Sequence, residues 1–417
     1  MIFNKYCCVC VIVLFSFSIT SCGKSKPSSV GNNVISLKNS VGIYNILNIS
    51  DYATSIRYIP LETNDSVLIS AIDQIVYENG SITIKSDWMK SECLVFNDNG
   101  VFCNKIGSHG QGPNEYTVIS DIFTFDDLIF LITSPAGLLS FQKDGTFVKK
   151  ISSPDNLNIE DHIRLVLPLN SNTYFTSLTS YGDYYPKTVL FEIDGVESKV
   201  IKEFIEPIKI EKTLPIVTSY EFGLMYHFKN DVRFYKYTNC DTIFTIGQDF
   251  EMKDAFIFDF GKYKPTRKAF DPIDKDVNNK PIYPEIILES SDYLFIKFMF
   301  FKDPPERYQY LRLYGDGESR LISSPIILSV FDKNTGELRL MKQPIKNKLG
   351  FKNDIDGGPV IYPNYISTKD ELVTFISPED FLEHYEQIEN PTPELQKITK
   401  NIKPDDNPIV IIAKLKK

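Results

Sequence analysis

Apolar and polar positions follow the same order twice between residues 81 and 151, and the second copy begins 45 residues after the first. Each copy predicts an apolar strand, a variable middle, a second strand, a polar turn that ends in glycine, and a third strand. Repeats of about 40–50 residues with several short strands are typical of β-propeller blades. Since one blade cannot bury both of its faces, the pattern predicts a closed ring. The corresponding positions are Ile84 with Ile129, Phe96 with Phe141, Gly100 with Gly145, Phe102 with Phe147, and Ile106 with Ile151.

Further patterns of strand, turn and strand predict six blades in all. In the first blade, residues 82–84 are predicted to form the inner strand. The apolar segments 35–37 and 55–61 have no blade of their own, so they are expected to complete the ring by pairing with the last blade. The predicted fold is an all-β, six-bladed β-propeller, and a seven-bladed ring is the main alternative. The predicted blades cover residues 72–106, 128–151, 173–201, 232–246, 293–341 and 365–415.

One insertion near the C-terminus has a helical pattern. Ser377 is a good N-cap, Pro378 suits the first helical position, and two acidic residues follow. Asn390-Pro391 ends this helix, and residues 393–399 are expected to form a second short helix. Residues 262–284 contain several prolines among many charges and are predicted to form a long exposed loop.

Composition and charge narrow the function. The chain is 42% hydrophobic and 13% aromatic, as expected for a globular protein rich in β-structure. Its net charge of −9 argues against a nucleic-acid partner, because no excess of basic residues is present to replace phosphate counterions. The charge fits a protein of an aqueous compartment that meets neutral or cationic ligands.

The N-terminus predicts export and lipid attachment. Lys5 precedes an apolar segment, 11–19, that is too short to span a bilayer. It ends in Ile19-Thr20-Ser21-Cys22, which resembles a bacterial lipobox with Cys22 as the lipidation site; an ordinary signal peptide is the alternative. The predicted organisation is a signal peptide at 1–21, a lipidated flexible tether at 22–34 and a propeller at 35–417. Gly23 after the cysteine favours the outer membrane. No acidic run follows Cys22, which favours the periplasmic face, with the cell surface as the alternative.

Three cysteines remain in the mature chain: Cys93, Cys103 and Cys240. Cys93 and Cys103 flank a predicted turn on neighbouring strands, so a disulfide between them is possible in an oxidising compartment. Buried free thiols are the favoured interpretation. The spacing of the cysteines does not suggest a zinc site.

The loop 107–116 is the strongest candidate for a ligand site. Its glycines permit close backbone approach, and a loop between two blades lies at one end of a propeller channel, where ligands usually bind. The alternative is that the glycines only shape a tight crossover. A cluster of tyrosines at 181–185 resembles a stacking surface for a glycan or peptide, and packing between blades is the alternative. The predicted ligand-binding residues are His109, Gln111, Glu115, Tyr116 and Tyr184.

Patterns for catalysis and metal binding are weak. The chain has no Gly-x-Ser-x-Gly motif, and its four histidines do not follow a known catalytic or zinc-binding order. Asp354-Ile355-Asp356-Gly357-Gly358 offers carboxylates that could hold Ca²⁺, but the other ligands of an EF-hand are missing, so a solvated turn is favoured. No cofactor is therefore predicted, with calcium as the alternative.

Four strings of residues together resemble a known family: Pro60-Leu61-Glu62-Thr63; the fairly specific Gly110-Gln111-Gly112-Pro113-Asn114-Glu115-Tyr116; Asn239-Cys240-Asp241-Thr242-Ile243-Phe244; and Asp406-Asn407-Pro408-Ile409-Val410. They look like the six-bladed β-propeller lipoproteins of anaerobic Gram-negative gut bacteria, which are related to NHL-type propellers. The resemblance covers nearly the whole mature chain. It implies a six-bladed ring on a lipid tether in the cell envelope and says little about chemistry.

The sequence therefore favours a monomeric, membrane-tethered propeller that binds or scaffolds a peptide, a glycan or an envelope protein without catalysis. The alternative is a propeller enzyme, such as a metal-assisted lyase or a lactonase-like hydrolase, that uses carboxylates at the channel mouth.

Overall fold

The computed structural model describes most of the chain after residue 32. Among the described residues, no helix is long and apolar enough to cross a membrane. The described segments are 33–86, 90–112, 114–134, 137–151, 166–179, 186–194, 197–205, 224–235, 240–264, 281–300, 306–313 and 318–417.

Short elements precede the first blade and pass along blades formed much later in the chain. They are strand β1 (Val34–Ser36), helix α1 (Leu37–Ser40), and strands β2 (Tyr44–Asn45) and β3 (Ala53–Pro60).

The first two blades are antiparallel sheets of four consecutive strands, separated by a pair of two-residue strands. Blade 1 contains β4 (Ile72–Glu78), β5 (Ser81–Ser86), β6 (Cys93–Asn97) and β7 (Phe102–Ile106). The short pair is β8 (Ser108–His109) and β9 (Glu115–Tyr116). Blade 2 contains β10 (Val118–Phe125), β11 (Leu128–Ser134), β12 (Gly137–Phe141) and β13 (Phe147–Ile151).

Blades 3 and 4 repeat this order of strands. Blade 3 contains β14 (Val166–Pro168), β15 (Thr173–Thr179), β16 (Pro186–Asp194) and β17 (Glu197–Ile205). Blade 4 contains β18 (Leu224–Phe228), β19 (Asp231–Tyr235), β20 (Thr242–Ile246) and β21 (Met252–Asp259).

The last two blades carry insertions between their second and third strands. Blade 5 contains β22 (Ile282–Glu289), β23 (Tyr293–Phe300), the inserted hairpin β24 (Tyr308–Leu313) and β25 (Ser319–Ser324), and then β26 (Ile326–Asp332) and β27 (Glu337–Met341). Blade 6 contains β28 (Tyr365–Ile366), β29 (Glu371–Ile376), the inserted helices α2 (Pro378–Tyr385) and α3 (Pro393–Thr399), and β30 (Ile409–Leu415).

The six blades form a β-propeller, as the repeat predicted. First strands of neighbouring blades contact one another around the axis: β28 with β4, β4 with β10, β14 with β18, β18 with β22, and β22 with β28. These strands therefore form the wall of a central channel. In blade 1 the inner strand is therefore β4, and the prediction that residues 82–84 form it is wrong, because they belong to the second strand. Both helices of the insertion are confirmed, and the Ser377 side chain accepts a hydrogen bond from the Asp380 backbone as the N-cap.

The ring is closed by a strand from the N-terminus. Strand β3 pairs antiparallel with β30 and forms the outermost strand of blade 6, as expected. The expectation for residues 35–37 is wrong, because β1 pairs in parallel with β21 at the outer edge of blade 4. Strand β2 adds to β27 of blade 5 in the same way. Three apolar residues can complete many sheet edges, so their sequence alone does not select a blade.

The glycine that recurs in both copies of the 45-residue repeat is required by the geometry of its turn. Gly100 and Gly145 both have positive φ, of 80° and 87°. A Cβ on Gly100 would lie 2.3 Å from the carbonyl oxygen of Pro60, so this turn admits only glycine. The proposed correspondence of Ile84 with Ile129 is shifted, because Ile82 pairs with Phe96 just as Ile129 pairs with Phe141.

Cys93 and Cys103 are both free thiols, so no disulfide joins them. Cys93 is buried and pairs with Ile106 across the sheet, whereas Cys103 is exposed and was wrongly expected to be buried. Burial raises the pKa of the Cys93 thiol, which keeps it protonated and unreactive.

The antiparallel order gives each blade two different ends. At what we call the turn end, the described connections are short: 79–80, 98–101, 126–127, 142–146, 169–172, 229–230, 247–251, 290–292, 333–336 and 367–370. At the loop end, where the inner strands begin, lie the connection 61–71, the described residues of 107–117, and the connections 342–364 and 377–408. The candidate ligand loop and both insertions therefore belong to the loop end.

Candidate functional site

The loop 107–116 is held by its own short sheet. Strands β8 and β9 pair in parallel, and the Gly110 N–H donates to the Tyr116 carbonyl at 2.9 Å. The Glu115 carboxylate bends back into the loop and accepts a 2.7 Å hydrogen bond from the Gly112 N–H. A Cβ on Gly110 would lie 2.0 Å from Glu115 Oε2, so a larger residue there would displace this carboxylate from its place in the loop. Glu115 therefore braces the loop from an exposed position.

Tyr116 anchors the loop in the core between blades 1 and 2. Its side chain is fully buried, and its hydroxyl donates to the Ile106 carbonyl at 3.3 Å. Burial raises its pKa well above the ordinary value. This position makes Tyr116 a support for the loop, while the groups available to a ligand lie on its neighbours.

His109 and Gln111 are exposed at the surface of this loop. The His109 ring lies edge-on to Tyr116, with ring centroids 6.4 Å apart. An exposed imidazole and an exposed carboxamide offer hydrogen-bond donors and acceptors on a backbone that is fixed by Glu115 and Tyr116. Four of the five predicted ligand-binding residues therefore share one loop; the fifth, Tyr184, lies outside the described residues, as does Cys22.

A second polar group, which the sequence interpretation missed, lies at the loop end of the channel. Asp73 accepts a hydrogen bond from the buried amino group of Lys85, and the side chains of Gln74 and Asp121 bond to each other between blades 1 and 2. The Ile122 N–H also donates to Gln74 at 2.9 Å. Burial raises the pKa of Asp121 to about 6. The sequence signal that could have revealed this group is a pair of polar residues within an otherwise apolar inner strand, Asp73-Gln74 in β4 and Ser120-Asp121 in β10.

Both inner strands carry a bulge at these positions, between Ile72 and Gln74 and between Ile119 and Asp121. A third bulge, between Pro284 and Ile286, occurs in blade 5, where Lys297 lies 3.0 Å from Glu285. Bulges re-aim side chains and are common beside functional sites. The loop end of the channel is thus polar at three blades.

The turn end of the channel contains a buried carboxylate with cationic partners. Glu289 accepts hydrogen bonds from Arg233 Nε at 3.1 Å, from Lys333 Nζ at 2.7 Å and from the Tyr226 hydroxyl at 3.1 Å. The Lys333 amino group also lies 4.1 Å from the centroid of the Phe228 ring. Burial lowers the pKa of Lys333. These contacts join blades 4 and 5 and leave the carboxylate enclosed.

Two further groups at the turn end have fixed partners. Glu78 accepts from the Tyr365 hydroxyl and the Thr368 N–H, both at 2.8 Å. His227 donates from Nε2 to the Pro168 carbonyl at 2.7 Å and stacks on Phe125, and burial lowers its pKa. Each of these groups would have to break an interblade contact before it could act on a ligand.

The suggested calcium loop uses its carboxylates for other contacts. Asp354 accepts hydrogen bonds from the backbone and hydroxyl of Ser50, at 3.0 and 2.6 Å. Asp356 accepts from the Tyr58 hydroxyl at 3.0 Å and from the Gly358 N–H at 2.9 Å. Within the described part of the chain, no group of three histidine, cysteine or acidic side chains is placed to hold a metal ion.

Two of the sequence strings meet at the closure of the ring. The buried Asn407 carboxamide donates to the Glu62 carbonyl at 2.6 Å and accepts from the Ile69 N–H at 2.7 Å. The Asn407 N–H donates to the Thr63 hydroxyl at 2.7 Å. The strings 60–63 and 406–410 thus form one junction that fastens the N-terminal strand.

Comparison with known families finds a match over most of the chain. Residues 32–414 match the family described as a domain of unknown function, DUF4934. This chain belongs to the DUF4934 family. A solved structure of a Bacteroides fragilis protein described as exported resembles the DUF4934 chain with a TM-score of 0.64 at 19% identity, covering 92% of this chain and 100% of that one. At this identity the likeness shows a shared fold.

Other solved structures resemble the DUF4934 chain more distantly. A Lactobacillus plantarum protein has a TM-score of 0.36 at 10% identity, covering 67% of this chain and 87% of its own. YCF48 from Cyanidioschyzon merolae has a TM-score of 0.35 at 12% identity, covering 71% of this chain and 90% of its own. These scores add nothing to the fold assignment. A comparison with curated proteins finds no match to the DUF4934 chain.

Proposed function

We propose that this protein is a binding or scaffold module of the cell envelope, tethered to the outer membrane through lipid on Cys22. In this proposal the loop end faces the periplasm and engages a peptide, a glycan or an envelope protein without chemical change. The observation that carries it is the loop 107–116, where exposed His109 and Gln111 stand on a backbone fixed by buried Tyr116. Rigid presentation of a few polar groups lowers the entropic cost of binding.

The turn end supports the same proposal. Glu289, Glu78 and His227 are enclosed and bonded across blades, so they maintain the ring. Sequence changes in the loops can then alter which ligand is bound, while the ring that positions the loops is unchanged.

Capture from detergent-solubilised envelope, together with binding to purified envelope glycans, tests the proposed site. The full-length protein is compared with the variant His109→Ala/Gln111→Ala. The matched control is Gln142→Ala/Thr146→Ala, which changes two exposed residues at the turn end of blade 2. We expect the loop variant to lose capture and the control to keep it. Equal capture by all three proteins would remove this loop from the proposal.

Lipid attachment is tested by labelling cells with a palmitate analogue. Wild-type protein should be labelled and should fractionate with the outer membrane, whereas Cys22→Ala should be unlabelled and released in soluble form. Label that persists in Cys22→Ala would place the anchor elsewhere.

A second candidate function is a propeller hydrolase or lyase, and Asp121 is the observation that favours it. A carboxyl group with a pKa of about 6, near Lys85 at the channel mouth, is suited to proton transfer near neutral pH. A metal-assisted version predicts that EDTA lowers the melting temperature and that divalent ions restore it. An unchanged melting temperature would reject the metal-assisted enzyme and leave the binding function as the remaining candidate.

A further inference from the structure

A cleft lies between helix α3 and the end of strand β3, at the loop end of blade 6. Its volume is about 500 Å³, within the range of ligand pockets. It was not anticipated from the sequence, because its walls come from opposite ends of the chain. The ring-closing junction around Asn407 forms one side of it, so the cleft is a consequence of the closure itself.

The floor of the cleft is apolar and its rim is charged. Tyr58 of β3, Leu61 directly after it and Ile398 of α3 line the cleft, and all three are buried. Around the opening stand the carboxylates of Glu62, Glu394 and Asp406 together with a single amino group, that of Lys397. The rim therefore carries more negative than positive charge.

The hydrogen bonds that Glu62 and Asp406 accept at the rim come from neutral donors. The two oxygens of Glu62 accept from the Asn64 carboxamide at 2.9 Å and from the Phe102 N–H at 2.8 Å. Asp406 accepts from the Lys403 N–H at 2.7 Å. Among the described residues, no ion pair involves Glu62, Glu394 or Asp406. Their negative charge is therefore not neutralised within the described part of the chain.

We propose that this cleft binds an extended peptide segment through a lysine or arginine side chain. Such a side chain has an apolar stem and a cationic tip, which match the buried floor and the acidic rim. The volume exceeds that of one side chain, so neighbouring residues of the peptide fit as well. The inference rests on the proposed binding function but uses residues separate from the loop 107–116.

The test measures fluorescence anisotropy of a labelled octapeptide of alternating leucine and lysine with the full-length protein. Two comparison peptides replace the lysines by glutamate or by acetyl-lysine. We expect only the lysine peptide to bind, with affinity that falls as salt is raised. Equal binding of the acetyl-lysine peptide, or full competition by butylamine at matched amine concentration, would overturn the proposal.

Variants of the rim should shift the affinity in opposite directions. Glu394→Gln is expected to weaken binding about two- to fivefold, the size of an exposed charge contact, and Lys397→Gln to strengthen it by a similar factor. The matched control is Glu379→Gln, which removes an exposed glutamate from the first turn of α2, outside the cleft. Equal effects of Glu394→Gln and Glu379→Gln would contradict the proposal.

The same assay separates this inference from the proposed loop site. His109→Ala/Gln111→Ala should leave binding of the lysine peptide unchanged if the cleft holds it. Loss of peptide binding in that variant, with Glu394→Gln unaffected, would overturn the cleft and support the loop. Thermal unfolding of each variant confirms that the ring is intact.

Discussion

The two ends of the central channel both contain enclosed carboxylates, but their surroundings differ. At the turn end, Glu289 contacts Arg233 and Lys333 at 3.1 and 2.7 Å. At the loop end, Asp121 shares a hydrogen bond with the neutral Gln74, and burial raises its pKa to about 6. The first carboxylate is hydrogen-bonded to two cationic side chains, whereas the second has a neutral partner and can gain a proton near neutral pH.

This difference indicates that the turn end stabilises the ring and that the loop end presents groups to ligands. Interblade charge contacts and short turns occupy the turn end, where Glu289, Glu78 and His227 all bond to a neighbouring blade. The loop end combines bulged inner strands, long connections and the exposed side chains His109 and Gln111. We therefore expect changes at the turn end to alter stability and changes at the loop end to alter ligand or proton binding.

The largest effect is expected for Glu289→Gln. It removes the carboxylate that Arg233 and Lys333 share, leaving Arg233 with Asp231 at 3.8 Å and Lys333 with the Ser290 carbonyl. This should lower the free energy of unfolding by about 3–5 kcal/mol. Urea unfolding measures the change. The control is Glu337→Gln, which removes an exposed pair with Arg339 and should cost less than about 1 kcal/mol. Similar losses for the two variants would remove the distinction between the buried and the exposed pair.

A smaller, pH-dependent effect is expected for Asp121→Asn. The pKa of Asp121 in the folded protein, about 6, lies above its ordinary value of 3.8. Its contribution to stability is therefore full below the unfolded pKa and is lost as the pH rises through about 6. Between pH 4 and pH 7 the wild type should therefore lose roughly 2–3 kcal/mol relative to the variant. Urea unfolding at several pH values gives this difference.

Two controls separate the titration of Asp121 from that of other groups. His227 has a lowered pKa and contributes the opposite slope, since its stabilisation is lost as the pH falls, but it is present in both proteins and cancels. Asp144→Asn changes an exposed carboxyl whose pKa is lowered by hydrogen bonds from Thr146, so it should show no such slope above pH 4. A flat difference curve for Asp121→Asn would contradict the assignment at the loop end.

The smallest effect is expected for Glu78→Gln. Glu78 is as buried as Glu289, with 8% and 7% of the residue exposed, but its hydrogen-bond partners Tyr365 and Thr368 are neutral. A carboxamide can replace most of these bonds, so we expect a loss of about 1 kcal/mol, measured by the same urea unfolding. A loss equal to that of Glu289→Gln would mean that burial, rather than the charge of the partners, sets the cost.

Local sequence rules were sufficient to predict the strands and turns of the blades. They were insufficient to predict the side-chain contacts that line the channel. The glycine turns at Gly100 and Gly145 and the N-cap at Ser377 depend on neighbouring residues, so the sequence predicted them correctly. The position of β1 on blade 4 depends on a pairing between distant segments, and the sequence analysis placed it on the wrong blade. The sequence analysis also missed the contacts of Glu289 and Asp121, because their partners lie on other blades.

The candidate loop was found because its polar residues are consecutive. The separate roles of its residues were not predicted. Whether Tyr116 is buried and His109 exposed depends on the packing of blade 1 against blade 2. The cleft beside α3 was missed for the same reason, because Leu61 and Ile398 lie at opposite ends of the chain.

Site-specific photo-crosslinking in living cells tests the central claim that partners bind at the loop end. A photoreactive residue is placed at Gln111 in one protein and at Thr146, an exposed position of the turn end, in another. We expect a discrete crosslinked product from position 111 and none from position 146. Products from position 146 alone would contradict the account.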